Sequence, residues 1–235
     1  MDYKTCYANI IIFAETHKII TNRNEAQTRF DLIDYLLTNC LAWDKHQIKV
    51  EVPHGSEYAD YVLGAPRRLI LEAKREGIHF EVPVENDRLL QSLAQIAALS
   101  KPNRSALEQV QAYCGKRGVR YAAICNGQQL IVFVATRQDG IDPLEGKCLV
   151  INGLPQFVNN FSRIYDLLSP NAIEANKLSI YLKMGEVTGI PRKLSSQLSN
   201  YPLVRSRTDF QANLKIISDL VLEDILSDSA VESRF

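Results

Sequence analysis

The chain of 235 residues has no net charge, its 27 Lys and Arg balancing 27 Asp and Glu. That balance excludes engagement of nucleic acid through a global field and leaves only a local basic patch for the purpose. Cysteine offers no framework either. Cys6, Cys40, Cys114, Cys125 and Cys148 are odd in number, widely spaced and form no C-x-x-C. They read as reduced core thiols, not as disulfides or a zinc site, and point to a cytoplasmic protein. No apolar run approaches the roughly 20 residues that a membrane span needs. The N-terminus lacks the charged-then-apolar layout of a secretory signal, and Ile10 to Ala14 is too short to supply one. No G-x-x-x-x-G-K-[ST] is present, so no P-loop motor is encoded here. His17, His46, His54 and His79 show no ligand spacing, and there is no internal repeat or low-complexity tract.

What is present is ordinary globular composition, 46% hydrophobic and 23% charged, in a length that suits one large domain or a domain with an appendage. The organising stretch is Tyr58 to Arg75, YADYVLGAPRRLILEAKR. Tyr61-Val62-Leu63 and Leu69-Ile70-Leu71 are short apolar runs around Gly64-Ala65-Pro66-Arg67, which carries turn chemistry, so the pair reads as a hairpin or near-hairpin. Alternate residues of a strand share a face, which puts Glu72 and Lys74 together and lets Asp60 lie beside them on the neighbouring strand. Two carboxylates and an ammonium on one sheet face are costly to bury unless a metal or a phosphate completes the set.

In chain order, residues 7–14 are apolar and fit helix or strand. Thr21 to Asn24 offers N-cap residues for a helix from about Glu25 to Asn39, with Phe30, Ile33, Leu36 and Leu37 as its apolar stripe. Glu25 falls in the first turn, where the helix dipole favours an anion, and that alone accounts for it as a surface charge. Gln47 to Val52 alternates as a half-buried strand. Arg75 to Glu85 reads as a loop or a short extra strand. Glu85 to Leu99 has helical periodicity, Lys101-Pro102-Asn103 breaks it, and Arg104 or Ser105 opens a second helix closed by Gly115 and Gly118. Tyr121 to Cys125 and Leu130 to Ala135 are strands joined by an Asn126-Gly127 turn, and Cys148 to Ile151 adds an edge strand. Helices are expected near 155–168, 171–183 and 208–226. The expected architecture is α/β, a mixed central sheet flanked by helices with a helical C-terminal part.

Asp60, followed by Glu72-Ala73-Lys74, resembles the PD-(D/E)xK nuclease signature, with Ala59 where Pro is usual. Glu25, ADYVLG…LILEAKR and Gln109 to Tyr113, then GVRYAAICNGQQLIVFVA, follow in the order found in the N-terminal nuclease domain of the restriction subunit of type I restriction–modification enzymes. The last helix includes that family's Q-x-x-x-Y element. The resemblance covers residues 20–136 and leaves 137–235 uncovered.

The resemblance implies a restriction-endonuclease-like core, expected over residues 1–152. With no P-loop and an acidic tail, DILSDSAVESRF, residues 153–235 are expected to be a docking or linker part of a longer protein. The resemblance also implies a Mg2+-dependent endonuclease acting on DNA, with Mn2+ as a substitute, in restriction or anti-phage defence. Asp60, Glu72 and the Ala73 carbonyl would hold the metal. Lys74 would contact the attacking water or the scissile phosphate, Glu25 would orient the water, and Gln109 and Tyr113 would help position the strand. Arg75, Lys101, Arg104, Lys116 and Arg117, with Arg120, flank these elements as a phosphate-binding patch, or as a solvated face. A homo-oligomer or a larger NTPase or sensor partner is expected to gate such an activity. The alternatives are a non-cutting module of the same fold that binds nucleic acid or assembles, and a nuclease acting on RNA.

Overall fold

Five consecutive apolar residues at Tyr121–Cys125 and five more at Leu130–Val134 have no polar face to offer water, so they form central strands covered on both sides. The computed structural model describes residues 1–54, 57–83 and 88–184. Among these the strands are β1 (Ile48–His54), β2 (Glu57–Leu63), β3 (Leu69–Ala73), β4 (Leu90–Ser92), β5 (Tyr121–Cys125), β6 (Leu130–Val134) and β7 (Lys147–Ile151). They make one mixed sheet in the order β1-β2-β3-β5-β6-β7-β4, in which only β3 and β5 run parallel. The crossover between those two is helical, as a parallel pair requires.

Alternation along the strands sends side chains into two layers. Leu69, Leu71 and Ala73 pack with α1 (Tyr3–Thr16), with the helical segment after Glu25, and with α5 (Leu154–Asn159), α6 (Phe161–Leu168), α7 (Pro170–Glu174) and α8 (Lys177–Met184). Ile70 points the other way, to α3 (Leu93–Leu99) and α4 (Lys101–Arg117). Residues 7–14, open to either structure in sequence, are helical within α1. All these elements lie in one compact unit, Met1–Glu186. The expected core of 1–152 ends with β7, and α5 to α8 continue the same hydrophobic core beyond it. The expected helix at 208–226 lies outside the described residues.

Four local expectations differ from what forms. The helix from Glu25 begins as α2 (Glu25–Thr28) and continues into wide π-type turns, Arg29–Ile33 and Leu36–Cys40, with the Leu41 N–H donating to the Leu36 carbonyl at 2.9 Å. The wider turns shift the apolar stripe by a residue, so Leu32 and Ile33 are buried while Phe30 is 77% exposed. The helix expected from Glu85 starts only at Leu93. Leu90–Ser92 is a strand because β7 has an open ladder that Leu89 and Leu90 fill, so β4 is the edge and β7 is interior. Finally, Lys101-Pro102-Asn103 opens α4 instead of interrupting a helix. Ser100 caps Asn103, and a proline in the first turn removes only an N–H that has no helical partner. The αL conformation that closes α4 falls at Gly118, φ 63°.

Candidate active site

The β2–β3 ladder stops at the pair Tyr61↔Leu71, one step before Asp60 and Glu72 would pair. There the Ala73 N–H donates to Asp60 Oδ2 at 2.8 Å, a carboxylate taking the place of a strand carbonyl. On its other side β3 remains joined to β5 and continues one step further, the Lys74 N–H donating to the Cys125 carbonyl at 2.8 Å. The site therefore forms where one edge of β3 is released from main-chain pairing and the other is still held.

Glu72 leaves β3 on the same face as Ile70 and Lys74, toward α4. It is only 4% exposed. Its Oε1 accepts from Lys74 Nζ at 2.7 Å, while its Oε2 is buried with no hydrogen-bond partner among the described residues. Burial pushes the Glu72 carboxyl above its ordinary range. The Lys74 hydrogen bond opposes that, and the negative charges of Asp60 and Glu25 add to it. Lys74 Nζ also donates to Gln109 Oε1 at 3.4 Å, and Gln109 Nε2 donates to the Tyr113 hydroxyl at 3.1 Å. Residues four apart on α4 thus extend the Glu72–Lys74 pair into a chain of hydrogen bonds. Glu25 stands exposed at the first position of α2, behind the Asn24 cap, whose side chain accepts from the Gln27 N–H at 2.8 Å. The structure brings Asp60, Glu72, Ala73, Lys74, Gln109 and Tyr113 into direct connection, with Glu25 near enough to Glu72 for its charge to be felt.

The basic residues divide. Arg75 is exposed immediately after Lys74, and Lys101 and Arg104 are exposed in the first turn of α4, Arg104 pairing with Glu108 at 2.8 Å. Lys116 is exposed in the last turn. Arg117 is half-buried and turned inward, donating to the Val52 carbonyl at 2.7 Å with its guanidinium 5.9 Å from the Tyr113 ring centroid. Arg120 donates to Ser179 Oγ at 3.0 Å, on the α8 side of the sheet.

Three participants are not evident in the sequence. Arg29 places Nη1 3.2 Å from Glu51 Oε1 and 3.6 Å from Asp60 Oδ1. Its signal was its position one turn after Glu25, on the helix that leads away from the site. Glu51 lies across from Asp60 in the β1–β2 register, an assignment that needs the bend of the strand to be known. Glu76 is buried against residues 52 to 55 positions away, accepting from Thr21, Arg23 and Gln128, and no local pattern announces that. Through these bonds it ties the segment before Glu25 to the turn after Lys74.

Among the described residues no three His, Cys, Asp or Glu side chains gather closely enough to hold a metal ion. The set here is two opposed carboxylates and a backbone carbonyl. All are oxygen donors, and the buried Glu72 Oε2 has an unused lone pair, which fits a hard cation that keeps several waters. Among the described residues no helix is long and apolar enough to cross a membrane.

No family model and no curated protein matches the chain. Among solved structures, the type IIG restriction endonuclease BpuSI is similar over 73% of this chain and 16% of its own, with 13% identity and a TM-score of 0.32. This chain thus spans about a sixth of that protein, and a likeness at this level identifies neither fold family nor activity.

Proposed function

We propose that this chain is a divalent-metal-dependent nuclease that hydrolyses phosphodiester bonds of DNA at the site on β2, β3 and α4. One observation carries the reading: a buried glutamate near the end of β3 has one oxygen on Lys74 and the other with no partner among the described residues, one register step beyond the last β2–β3 pair, where Asp60 lies opposite. A fold gains nothing from an orphaned buried carboxylate oxygen unless something else binds it. Asp60, Glu72 and the Ala73 carbonyl would hold Mg2+, or Mn2+, which share oxygen ligands. When bound, the cation supplies charge relief at the phosphate and a more acidic water.

The remaining steps belong to the chain's own groups. Lys74, steadied by Glu72 and Gln109, would contact the attacking water or the scissile phosphate. Tyr113 fixes the Gln109 amide and so the direction in which Lys74 is held. Glu25, exposed at the first position of α2, would orient the water. Arg75, Lys101 and Arg104 supply exposed positive charge for the strand backbone. A place in restriction or anti-phage defence, with gating by an oligomer or a larger NTPase or sensor partner, follows from the motif resemblance.

A second reading has an observation of its own. Each carboxylate already has a cation nearby, Lys74 for Glu72 and Arg29 for Asp60, as an inert ion-pair cluster in a binding module would. Nicking of supercoiled plasmid separates the two. Metal-dependent cleavage by wild type that disappears with EDTA and in both Asp60→Ala and Lys74→Ala is the expected result. No cleavage with Mg2+ or Mn2+ favours the binding module, and cleavage that survives both substitutions places the activity elsewhere.

A further inference from the structure

Asp60 already has a resident cation, and the way it is held is informative. Arg29 lies 3.2 Å from Glu51 and 3.6 Å from Asp60, its guanidinium 5.2 Å from the Tyr61 ring centroid. The contacts differ in kind: the one to Glu51 is a hydrogen bond, whereas the one to Asp60 is an ion pair too long to be one. Glu51 is 68% exposed at its side chain, so it is free to follow the guanidinium outward, while Asp60 is 17% exposed and fixed by the Ala73 N–H. Glu51 also has φ 49°, a left-handed conformation that a residue with a side chain seldom adopts and that persists only where its surroundings impose it. It sits in the register gap between Val50↔Tyr61 and Val52↔Ala59, directly across from Asp60. A strained edge residue thus presents a second carboxylate to the cation that neutralises the first.

Building on the metal-nuclease reading, we infer that Arg29 is the counter-ion a divalent cation must displace from Asp60, and that Glu51 receives it. The guanidinium's positive charge opposes cation entry while it stays near Asp60. A phosphodiester relieves this in two ways, adding an oxygen ligand for the cation and offering Arg29 another anion. Metal loading and substrate arrival are then coupled, each strengthening the other by the same factor.

The test uses the full chain without nucleic acid and Mn2+ alone as the probe, with affinity read by calorimetry or electron paramagnetic resonance. Removing the competitor in Arg29→Met tightens Mn2+ binding about tenfold, the scale on which a neighbouring charge a few ångströms away acts. Removing the receiver in Glu51→Gln leaves Arg29 to Asp60 alone and weakens binding about threefold or more. Arg29→Lys keeps the charge and stays close to wild type, a control that also serves if Arg29→Met fails to fold. Binding that is unchanged or weaker in Arg29→Met, or tighter in Glu51→Gln, overturns the inference while leaving the metal site in place. Absence of Mn2+ binding in wild type and Arg29→Met alike, or binding indifferent to Asp60→Asn, overturns the metal reading itself.

Discussion

Glu72 in β3 and Glu76 in the turn that follows it are four positions apart, 4% and 2% exposed, and the protein treats them oppositely. Glu76 is saturated. It accepts from the Thr21 N–H at 3.1 Å, Thr21 Oγ1 at 3.2 Å, Arg23 Nη1 at 3.0 Å and Gln128 Nε2 at 3.2 Å. Burial alone would raise its carboxyl, but the donors from Gln128, Thr21 and Arg23 outweigh that and hold it below the usual range. Among the described residues Glu72 has one donor and an orphaned oxygen, and with two negative neighbours its carboxyl is raised. Burial is therefore no guide to role. The saturated carboxylate is a fastener between distant segments, and the unsaturated one is free for a ligand.

The sharpest break of that comparison is in activity. Glu72→Gln is expected to lower metal-dependent plasmid cleavage by about 10³-fold, the scale of removing one group that stabilises a developing charge. Wild type is expected to melt at a higher temperature with Mn2+, and Glu72→Gln is expected to lose that rise. Glu76→Gln should retain that metal-induced rise, because the residue touches neither carboxylate of the site. If the two variants lose activity and metal response alike, the distinction between them fails.

Stability should separate them next. Glu76→Ala leaves Arg23 only its pair with Asp31 and takes the acceptor from three further donors, so unfolding in urea should show a loss of about 3 kcal/mol, as for one partner removed from a buried pair. Glu72→Gln should instead leave the metal-free protein as stable as wild type or about 0.5–1 kcal/mol more stable, since it removes a charge the fold does not satisfy. A comparable loss in both variants would mean that Glu72 is a fastener too.

The pH dependence should sharpen the contrast, with the smallest effect. A lowered carboxyl contributes stability that is present above its unfolded-state value and is lost as pH falls through the native one. The difference between wild type and Glu76→Gln should therefore shrink on acidification below the ordinary carboxylate value of 4.5. A raised carboxyl does the reverse. Its penalty is absent below the same ordinary value and grows as pH rises through the shifted one, so wild type should lose ground to Glu72→Gln as pH increases from there. Urea midpoints of the three proteins between about pH 2 and 8 test both signs, a span that reaches to either side of the usual folded-state carboxyl range.

Much of this was legible in the residues. Short continuous apolar runs bounded by turn chemistry locate the hairpin of β2 and β3 and the pair β5 and β6, because a strand buried on both faces has no polar face to alternate with. The co-facial placement of Glu72 and Lys74 follows from alternation alone, and Gln109 with Tyr113 from helical spacing. Less legible was whatever depended on a neighbour remote in sequence. Leu90–Ser92 has a helical pattern but is a strand because β7 has an open edge, and Phe30 leaves its apolar stripe because the helix widens locally. Arg117, one of a basic group in sequence, turns inward to the Val52 carbonyl, which nothing near it in the chain foretells.

The sequence by itself determined the mixed α/β layering, the buried free thiols and the gathering of Asp60, Glu72 and Lys74, because these rest on local periodicity and the cost of burying unpaired charge. Only the tertiary structure decided which glutamate is saturated, where Arg29 and Glu51 stand, and that the β2–β3 ladder opens at Asp60. Those outcomes depend on partners brought together across the sheet, and a hydrogen bond or an ion pair is settled by where two groups end up, not by what each is.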